Sequence, residues 1–218
     1  MVTNNEIILT NDGSHSVYNK ELNEIYHSKN GAIIEANHVY IKNGLLFHKK
    51  KELNILEIGL GTGLNAILTI ENLEEKKVHY TALEPKPIQK EIYTKLNYCN
   101  FIVSNKKLFL SLHDSKWDEE KLIIENFMFC KRKDSIQEYT TEKKFDIIYF
   151  DAFAPNKQID IWKINIFRKC FSIMNYNSLL VTYCAKGMVK RMLKSVGFEV
   201  ETLEGPPGKR EMIRAIKI

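Results

Sequence analysis

The stretch from Asn54 to Asn65 constrains the fold of this chain more than any other. An apolar run ending at Ile58 is typical of a short buried strand, and Gly59, Gly61 and Gly63 follow it at a spacing of two. Residues 64–70 then have the apolar spacing of one helix face. A strand, a glycine turn and a helix start predict a nucleotide-sized pocket, because glycine lets a ligand approach the backbone and the helix start offers N–H donors.

The residues of the turn also indicate a class of ligand. The spacing G-x-G-x-G differs from the G-x-G-x-x-G that binds a dinucleotide pyrophosphate. Glu57, just before the first glycine, would repel a diphosphate but suits a cationic amino-acid ligand. S-adenosylmethionine, which carries an ammonium and a sulfonium, is therefore the predicted cofactor, and Glu57 with the three glycines is predicted to bind it. The alternative is a tight strand–helix turn without a ligand.

Composition limits the remaining possibilities. A chain of 218 residues with 44% apolar and 27% charged residues is typical of one globular domain with a full core. It contains no apolar run of membrane-spanning length and no signal-peptide pattern, so we expect a cytoplasmic protein without membrane contact. Its four cysteines are widely spaced without a C-x-x-C pair, which predicts reduced thiols and no metal site. The net charge of +5 is compatible with RNA but also with many lysine-rich proteins.

Residues 1–50 precede the glycine turn and are predicted to form a small N-terminal appendage, with residues 51–218 as the main domain. A short strand is expected at 6–10, a helix at 16–27 and a second helix at 31–41. The appendage is rich in polar aromatic and histidine side chains, among them Tyr26 and His27. A cap over a ligand pocket needs such groups, although a half-buried helical pair also tolerates them.

The main domain alternates predicted strands and helices. Strands are expected at 55–58, 78–84, 122–130, 144–150, 178–183, 198–203 and 211–217, and helices at 64–70, 88–96, 161–171 and 185–195. This order predicts an α/β fold with a Rossmann-like, doubly wound, mostly parallel sheet. The loop 205–210 is too short for a helical crossover, so the last two strands are expected to form an antiparallel hairpin.

Three acids follow predicted strands. Glu84 ends the second strand and is placed to accept hydrogen bonds from ribose hydroxyls, or it is simply a solvated strand-end charge. Asp134 follows the third strand, where it would contact an adenine amino group, or it belongs to a solvated basic edge. Asp151 directly follows the buried strand 144–150 and is predicted to face the glycine turn, since ligands bind beyond the carboxyl ends of such strands. Phe153 offers a ring for stacking on a flat substrate.

Four stretches together resemble a known family. They are 26–40 (YHSKNGAIIEANHVY), 56–65 (LEIGLGTGLN), 151–155 (DAFAP) with Trp162, and 182–187 (TYCAKG) leading to 205–212 (GPPGKREM). They span most of the chain and resemble the MnmC/MnmD-type tRNA wobble-uridine methyltransferases, which have the class I S-adenosylmethionine-dependent methyltransferase fold. One departure is that residues 130–134 (CKRKD) stand where such enzymes have a Gly-Asp-type turn.

The resemblance implies a reaction: methylation of the amino group of 5-aminomethyl(-2-thio)uridine at the wobble position in the tRNA anticodon stem-loop. It also implies a stand-alone methyltransferase without the flavin oxidase of two-domain relatives. Asp151 would orient the amine and help to remove its proton, and Phe153 would stack on the extruded uracil, with Tyr26 and His27 at the substrate side. Lys186, Lys209 and Arg210 would contact phosphates, unless they are solvated surface charges.

Two other readings stay open. An aminopropyltransferase or small-molecule methyltransferase has the same fold, but aminopropyl transfer usually needs paired carboxylates, and the basic C-terminal segment disfavours a cationic substrate. The other alternative is a non-catalytic RNA-binding protein with the same fold. The intact glycine turn and the nearby acids Glu57, Glu84 and Asp151 argue against it.

Overall fold

The computed structural model describes residues 5–218, in which the strands form two sheets. The strands are β1 (Asn5–Leu9), β2 (His15–Asn19), β3 (Glu24–Ile25), β4 (Glu52–Ile58), β5 (Lys77–Leu83), β6 (Lys121–Ile124), β7 (Phe127–Arg132), β8 (Phe145–Phe150), β9 (Met174–Thr182), β10 (Glu199–Glu204) and β11 (Glu211–Lys217). The α-helices are α1 (Ala32–Ala36), α2 (Leu64–Glu71), α3 (Lys90–Tyr93), α4 (Lys106–His113), α5 (Ile164–Ser172) and α6 (Gly187–Val196). A π-helix, Asn37–Leu45, continues α1, and short 3₁₀ turns lie at Tyr98–Asn100 and Ile159–Trp162.

The large sheet has the strand order β10-β11-β9-β8-β4-β5-β7-β6. Strands β7, β5, β4, β8 and β9 are parallel to their neighbours in that series, whereas β6 is antiparallel to β7. The predicted antiparallel hairpin is confirmed, and β11 inserts between β9 and β10, antiparallel to both. The predicted α/β fold with a mostly parallel, doubly wound sheet is therefore correct.

The chain changes direction across the sheet at β4. From β4 it runs outward to β5 and β7, then crosses back to β8 on the other side of β4. In doubly wound sheets a ligand crevice forms at this switch point, beyond the carboxyl ends of the two strands. Those ends are the glycine turn that follows Ile58 and the loop that begins with Asp151, whose N–H donates to the Ile58 carbonyl at 3.0 Å.

Side-chain alternation along the central strands creates two cores, one on each face of the sheet. On β4, Leu53 and Ile55 belong to the core covered by the π-helix, α2 and α4. Leu56 and Ile58 belong to the opposite core, covered by α5 and α6. The parallel strands are thus buried on both faces, which explains their continuous apolar runs.

The predicted helix at 16–27 is wrong. Residues 15–19 form β2, which pairs with β1, and β3 completes a small antiparallel sheet. The Asn19 side chain accepts from the Leu22 N–H at 3.0 Å, and Asn23 has a φ of 47°, so the segment turns where a helix would continue. The apolar spacing at 22, 25 and 26 arises from this turn and the following strand.

Two further elements differ from prediction. Residues 122–130 form a hairpin of β6 and β7, with a register shift between Leu122 and Ile124, instead of one strand. The helix expected at 88–96 shortens to the single turn of α3, preceded by Pro85 and Pro87.

The segment predicted to be an N-terminal appendage, residues 1–50, has two parts in the described residues, and residues 1–4 lie outside them. The first is the sheet of β1 to β3. The second, α1 with the π-helix, packs into the main core, where Val39 and Leu45 are fully buried.

Candidate active site

A cavity of about 740 Å³ lies at the carboxyl ends of β4, β5 and β8. The glycine turn, Glu84, and the loop from Asp151 to Phe153 form its inner wall. Residues 19–27 of the small sheet, the loop 135–137 and residues 157–161 form its outer walls. This volume is in the range of cofactor pockets in proteins.

The glycine turn requires glycine for steric reasons. Gly59 has a φ of +95°, and a Cβ there would lie 2.7 Å from the Asp151 carbonyl oxygen. Gly61 has a φ of +49°, and a Cβ there would lie 2.9 Å from the Tyr26 ring. Both positions therefore combine a left-handed backbone with close approach of another part of the site.

The backbone N–H groups of the turn are largely used inside the protein. Gly59 and Leu60 donate to the Leu83 carbonyl, Gly61 donates to Glu84, and Gly63 donates to the Leu60 carbonyl. These four N–H groups are therefore not available to a ligand, and the predicted donors at the start of α2 lie beyond them. Such a turn offers few free N–H donors to a phosphate.

Glu84 links the tip of β5 to the turn. One carboxylate oxygen accepts from the Gly61 N–H at 2.8 Å and the other from the Lys86 N–H at 2.9 Å. Burial raises the pKa of Glu84, and these two donors act against that rise. The carboxylate also lines the cavity and retains acceptor capacity there, as its predicted role towards a ribose requires.

Asp151 lies on the cavity wall with both carboxylate oxygens held. The Tyr40 hydroxyl donates to Oδ1 at 2.6 Å, and Asn65 Nδ2 donates to Oδ2 at 2.8 Å. Burial raises the pKa of Asp151 to about 6, against the lowering effect of these two donors. The carboxylate is therefore mostly ionised at neutral pH, and partly exposed to the cavity, as an acceptor for an amine N–H must be.

Phe153 and Tyr26 form an aromatic pair beside Asp151. Their ring centroids lie 4.8 Å apart at an angle of 73°, and both residues line the cavity. His27 also reaches the cavity, but its ring nitrogens face the hydroxyls of Ser16 and Thr62 at 3.1 and 3.3 Å. Burial lowers the pKa of His27 to about 4, so this side chain is a neutral structural contact at neutral pH.

Two acids are placed differently from the prediction. Glu57 is fully buried behind the turn and does not line the cavity, because side-chain alternation along β4 directs it towards α2. Asp134 pairs with the Arg132 guanidinium at 2.6 Å, and the neighbouring residues Ser135 to Gln137 line the cavity instead. The loop after β7 therefore reaches the cavity one to three residues beyond Asp134.

The three basic residues separate into two groups. Lys186 and Arg210 are exposed. The Lys209 ammonium instead pairs with the buried Glu35 carboxylate and lies 3.9 Å from the centre of the Tyr183 ring. Lys209 is thus used inside the protein, in a contact that joins α1 to the loop between β10 and β11, and is not a free phosphate ligand.

Sequence reasoning did not assign Tyr40, Asn65 or Glu35 to the site. Asn65 directly follows the glycine turn, and Tyr40 and Glu35 lie in the stretch 26–40 that carries the family resemblance. These positions were a usable signal, but their contacts with Asp151 and Lys209 span more than eighty residues of sequence.

Comparison with known proteins agrees with this geometry. A family model described as S-adenosyl-L-methionine-dependent methyltransferase matches residues 96–218, which is more than half of the chain. The tRNA 5-methylaminomethyl-2-thiouridine biosynthesis bifunctional protein MnmC of Burkholderia multivorans is 29% identical over 212 residues, or 87% of this chain and 32% of that protein. The chain spans about a third of the length of the curated relatives it matches.

Solved structures share the fold. The crystal structure of MNMC2 from Aquifex aeolicus superposes with a TM-score of 0.82 at 21% identity, over 98% of this chain and 70% of that one. Spermidine synthase from Thermotoga maritima gives a TM-score of 0.60 at 12% identity, over 96% of this chain and 72% of that one. At these identities the likeness concerns the fold alone.

The fold and the cavity define a class I methyltransferase, with a glycine turn at the switch point and acids at the strand ends. The chain belongs to the S-adenosyl-L-methionine-dependent methyltransferase family, and the resemblance to its MnmC-type members is confirmed. S-adenosylmethionine is accordingly the cofactor, and the residues around the cavity fit it: Glu84 faces the cavity from the tip of β5 and Asp151 from the tip of β8.

Two negative findings hold for residues 5–218. No helix there is long and apolar enough to cross a membrane. No group of three or more His, Cys, Asp or Glu side chains is arranged to hold a metal ion.

Proposed function

We propose that this protein methylates the amino group of 5-aminomethyl(-2-thio)uridine at the tRNA wobble position. The observation that carries the proposal is Asp151, a carboxylate at the cavity wall with a pKa of about 6 beside the Phe153–Tyr26 pair. The names of the curated relatives support it, since they are tRNA 5-methylaminomethyl-2-thiouridine biosynthesis proteins. A tRNA substrate also implies a cytoplasmic enzyme.

The roles of the residues follow from their positions. An alkylammonium must lose a proton before its nitrogen can act as a nucleophile, and Asp151 accepts that proton and orients the amine. Bound S-adenosylmethionine supplies an electrophilic methyl group, so that an N–C bond forms while the C–S bond breaks with its electron pair on sulfur. Phe153 and Tyr26 provide aromatic edges against which an extruded base packs.

The small N-terminal sheet is proposed to cap the cavity. Lys157 supports this role, because its ammonium donates to the carbonyls of Leu22 and Asn23 at 3.0 and 2.8 Å and so ties the sheet to the loop that carries Asp151. Lys157→Ala is expected to raise the Kd for S-adenosylmethionine. Lys144→Ala is the matched control, because it removes a lysine whose ammonium also donates to a backbone carbonyl, that of Ser172 at 2.7 Å, away from the cavity.

Glu35, another buried carboxylate near Asp151, is not free for a polyamine substrate. Glu35 accepts from the Ser28 N–H at 2.9 Å and pairs with Lys209. This disfavours the aminopropyltransferase alternative, in which paired carboxylates hold a cationic acceptor.

The test is methyl transfer from labelled S-adenosylmethionine to two tRNA pools, followed by nucleoside analysis. One pool carries 5-aminomethyl-2-thiouridine and the other carries an unmodified wobble uridine. Label is expected only in the first pool, as the methylaminomethyl nucleoside. No label in either pool, despite cofactor binding, would refute the proposal in favour of a small-molecule acceptor; failure to bind the cofactor as well would favour a non-catalytic RNA-binding protein.

Lys186 and Arg210 are the proposed phosphate contacts. Changing both to alanine is expected to raise the KM for tRNA and to reduce the salt dependence of binding by about one counterion per residue. The control variant changes Lys51 and Lys77, which lie at the amino ends of β4 and β5, on the opposite edge of the sheet from the cavity. Equal effects of the two double variants would contradict the assignment.

A further inference from the structure

A buried chain of side chains connects Asp151 to Glu57 through Asn65. Asn65 Nδ2 donates to Glu57 Oε1 at 2.9 Å and to Asp151 Oδ2 at 2.8 Å. Both amide hydrogens of Asn65 are thereby used, one on each carboxyl group. The contact with Asp151 therefore depends on the orientation of the Asn65 amide.

The other polar atoms of this group have too few hydrogens to form hydrogen bonds with one another. Glu57 Oε2 and Asn65 Oδ1 are buried without a hydrogen-bond partner, and the Tyr80 hydroxyl approaches Glu57 without a hydrogen bond of good geometry. With an ionised Glu57, these three oxygens have a single hydrogen between them, that of Tyr80. Buried polar atoms are rarely left unpaired, and an acid proton on Glu57 supplies a second donor.

Of the two carboxyl groups that Asn65 joins, Asp151 has the surroundings that favour a negative charge. Glu57 faces two further acids, Asp151 and Glu84, together with the Tyr80 hydroxyl. Burial first, and then the Asp151 charge, raise the pKa of Glu57 well above its usual range.

The surroundings of Asp151 are different. It has the Tyr40 and Asn65 donors, with Tyr183, Glu35 and the Lys209 ammonium further around it. Two adjacent buried carboxyl groups cannot both ionise at low cost, so the group with more donors keeps the charge.

We infer that Glu57 is a positioning residue: it acts as a neutral acid whose proton fixes the Asn65 amide, so that Asn65 donates to Asp151 and keeps it ionised. The inference rests on the proposed function for what Asp151 does to the amine. It replaces the sequence-based expectation that Glu57 acts as a negatively charged cofactor ligand.

Substitutions at Glu57 separate these two roles. Glu57→Ala is expected to lower kcat at least about tenfold and to move the acidic limb of the pH profile upward, because Asn65 loses its anchor. Glu57→Gln is expected to rescue both, since glutamine is neutral, has the same shape, and can donate to Asn65 Oδ1. If Glu57 is instead a charged cofactor ligand, Glu57→Gln raises the Kd for S-adenosylmethionine at least about tenfold, and this result would overturn the inference.

Infrared spectroscopy tests the protonation state without any tRNA. The difference spectrum of wild type minus Glu57→Gln is expected to contain the carbonyl stretch of a protonated carboxyl group at neutral pH. The same subtraction for Glu75→Gln, an exposed glutamate, is expected to contain only carboxylate bands. A carboxylate band in the Glu57 difference spectrum refutes the inference, whereas failure of tRNA methylation with an intact acid band refutes only the proposed function.

Asn65→Asp provides a second test that does not depend on substitution at Glu57. This substitution replaces the amide that donates to Asp151 by a carboxyl group, so that three carboxyl groups stand next to one another at positions 57, 65 and 151. We expect kcat to fall at least about a hundredfold while the fold, followed by circular dichroism, is kept. Full activity of Asn65→Asp would show that Asp151 does not depend on Asn65 and would overturn the inference.

Discussion

Removal of the Tyr40 hydroxyl should shift the pH dependence of the reaction in a calculable way. This hydroxyl donates to Asp151 Oδ1 at 2.6 Å and acts to lower a pKa that burial has raised to about 6. A hydrogen bond to a charged group contributes about 1.5–3 kcal/mol, and one pKa unit corresponds to about 1.36 kcal/mol. Tyr40→Phe should therefore raise the pKa of Asp151 by about one to two units, to roughly 7–8.

The effect on rate depends on the ionised fraction of Asp151. At pH 7 that fraction is about nine-tenths in the wild type and falls to between about one half and one tenth in Tyr40→Phe. The kcat/KM at pH 7 should fall about two- to tenfold. At high pH it should be near the wild-type value, because Asp151 is then ionised in both the wild type and Tyr40→Phe. The assay is a pH profile of kcat/KM with the 5-aminomethyl-2-thiouridine tRNA pool, in which the acidic limb moves to higher pH.

A neighbouring tyrosine offers a matched control. The Tyr149 ring packs 5.2 Å from the Tyr40 ring, and its hydroxyl faces Thr69 at 3.4 Å instead of Asp151. Tyr149→Phe should leave the acidic limb in place. The reasoning is refuted if the limb of Tyr40→Phe does not move, or if both variants move it equally.

Three further predictions concern cofactor binding and stability. Gly59→Ala should abolish S-adenosylmethionine binding, measured by calorimetry. The left-handed backbone conformation destabilises an alanine by roughly 1–2 kcal/mol, and the new Cβ would lie 2.7 Å from a backbone carbonyl oxygen. The control Gly187→Ala, at the start of α6, should bind the cofactor normally. Glu84→Gln should raise the cofactor Kd about tenfold, whereas Glu71→Gln, which also alters a carboxylate bound to two backbone N–H groups, should not change it. Asp146→Asn should lower the unfolding free energy by roughly 1–3 kcal/mol at pH 7, measured by urea titration. Burial acts to raise the pKa of Asp146, but a backbone N–H, an ammonium and an amide outweigh it and hold the pKa below its usual value. Its stabilising contribution is therefore present above about pH 4 and lost as the pH falls further; a difference between wild type and Asp146→Asn that persists unchanged in acid would contradict this.

The local pattern of the sequence predicted the elements on which the site is built. Continuous apolar runs identified the parallel strands, because strands buried on both faces have no polar side. Glycine spacing identified the turn, and the position of Glu84 and Asp151 directly after strands placed both at one edge of the sheet. These features depend on residues close together in the chain, where backbone geometry and side-chain period act directly.

The tertiary structure alone decided which side chains meet there. Tyr40 reaches Asp151 across 111 positions of sequence, and Lys209 reaches Glu35 across 174. The periodicity of neighbouring residues does not reveal such a pairing. The local sequence therefore cannot distinguish whether Lys209 is an exposed phosphate ligand or part of an internal ion pair. The same holds for Glu57, whose neighbours Asn65 and Tyr80 come from a helix and an adjacent strand. Charge, protonation and donor supply at a buried group depend on all the elements packed around it, and only the folded chain brings those elements together.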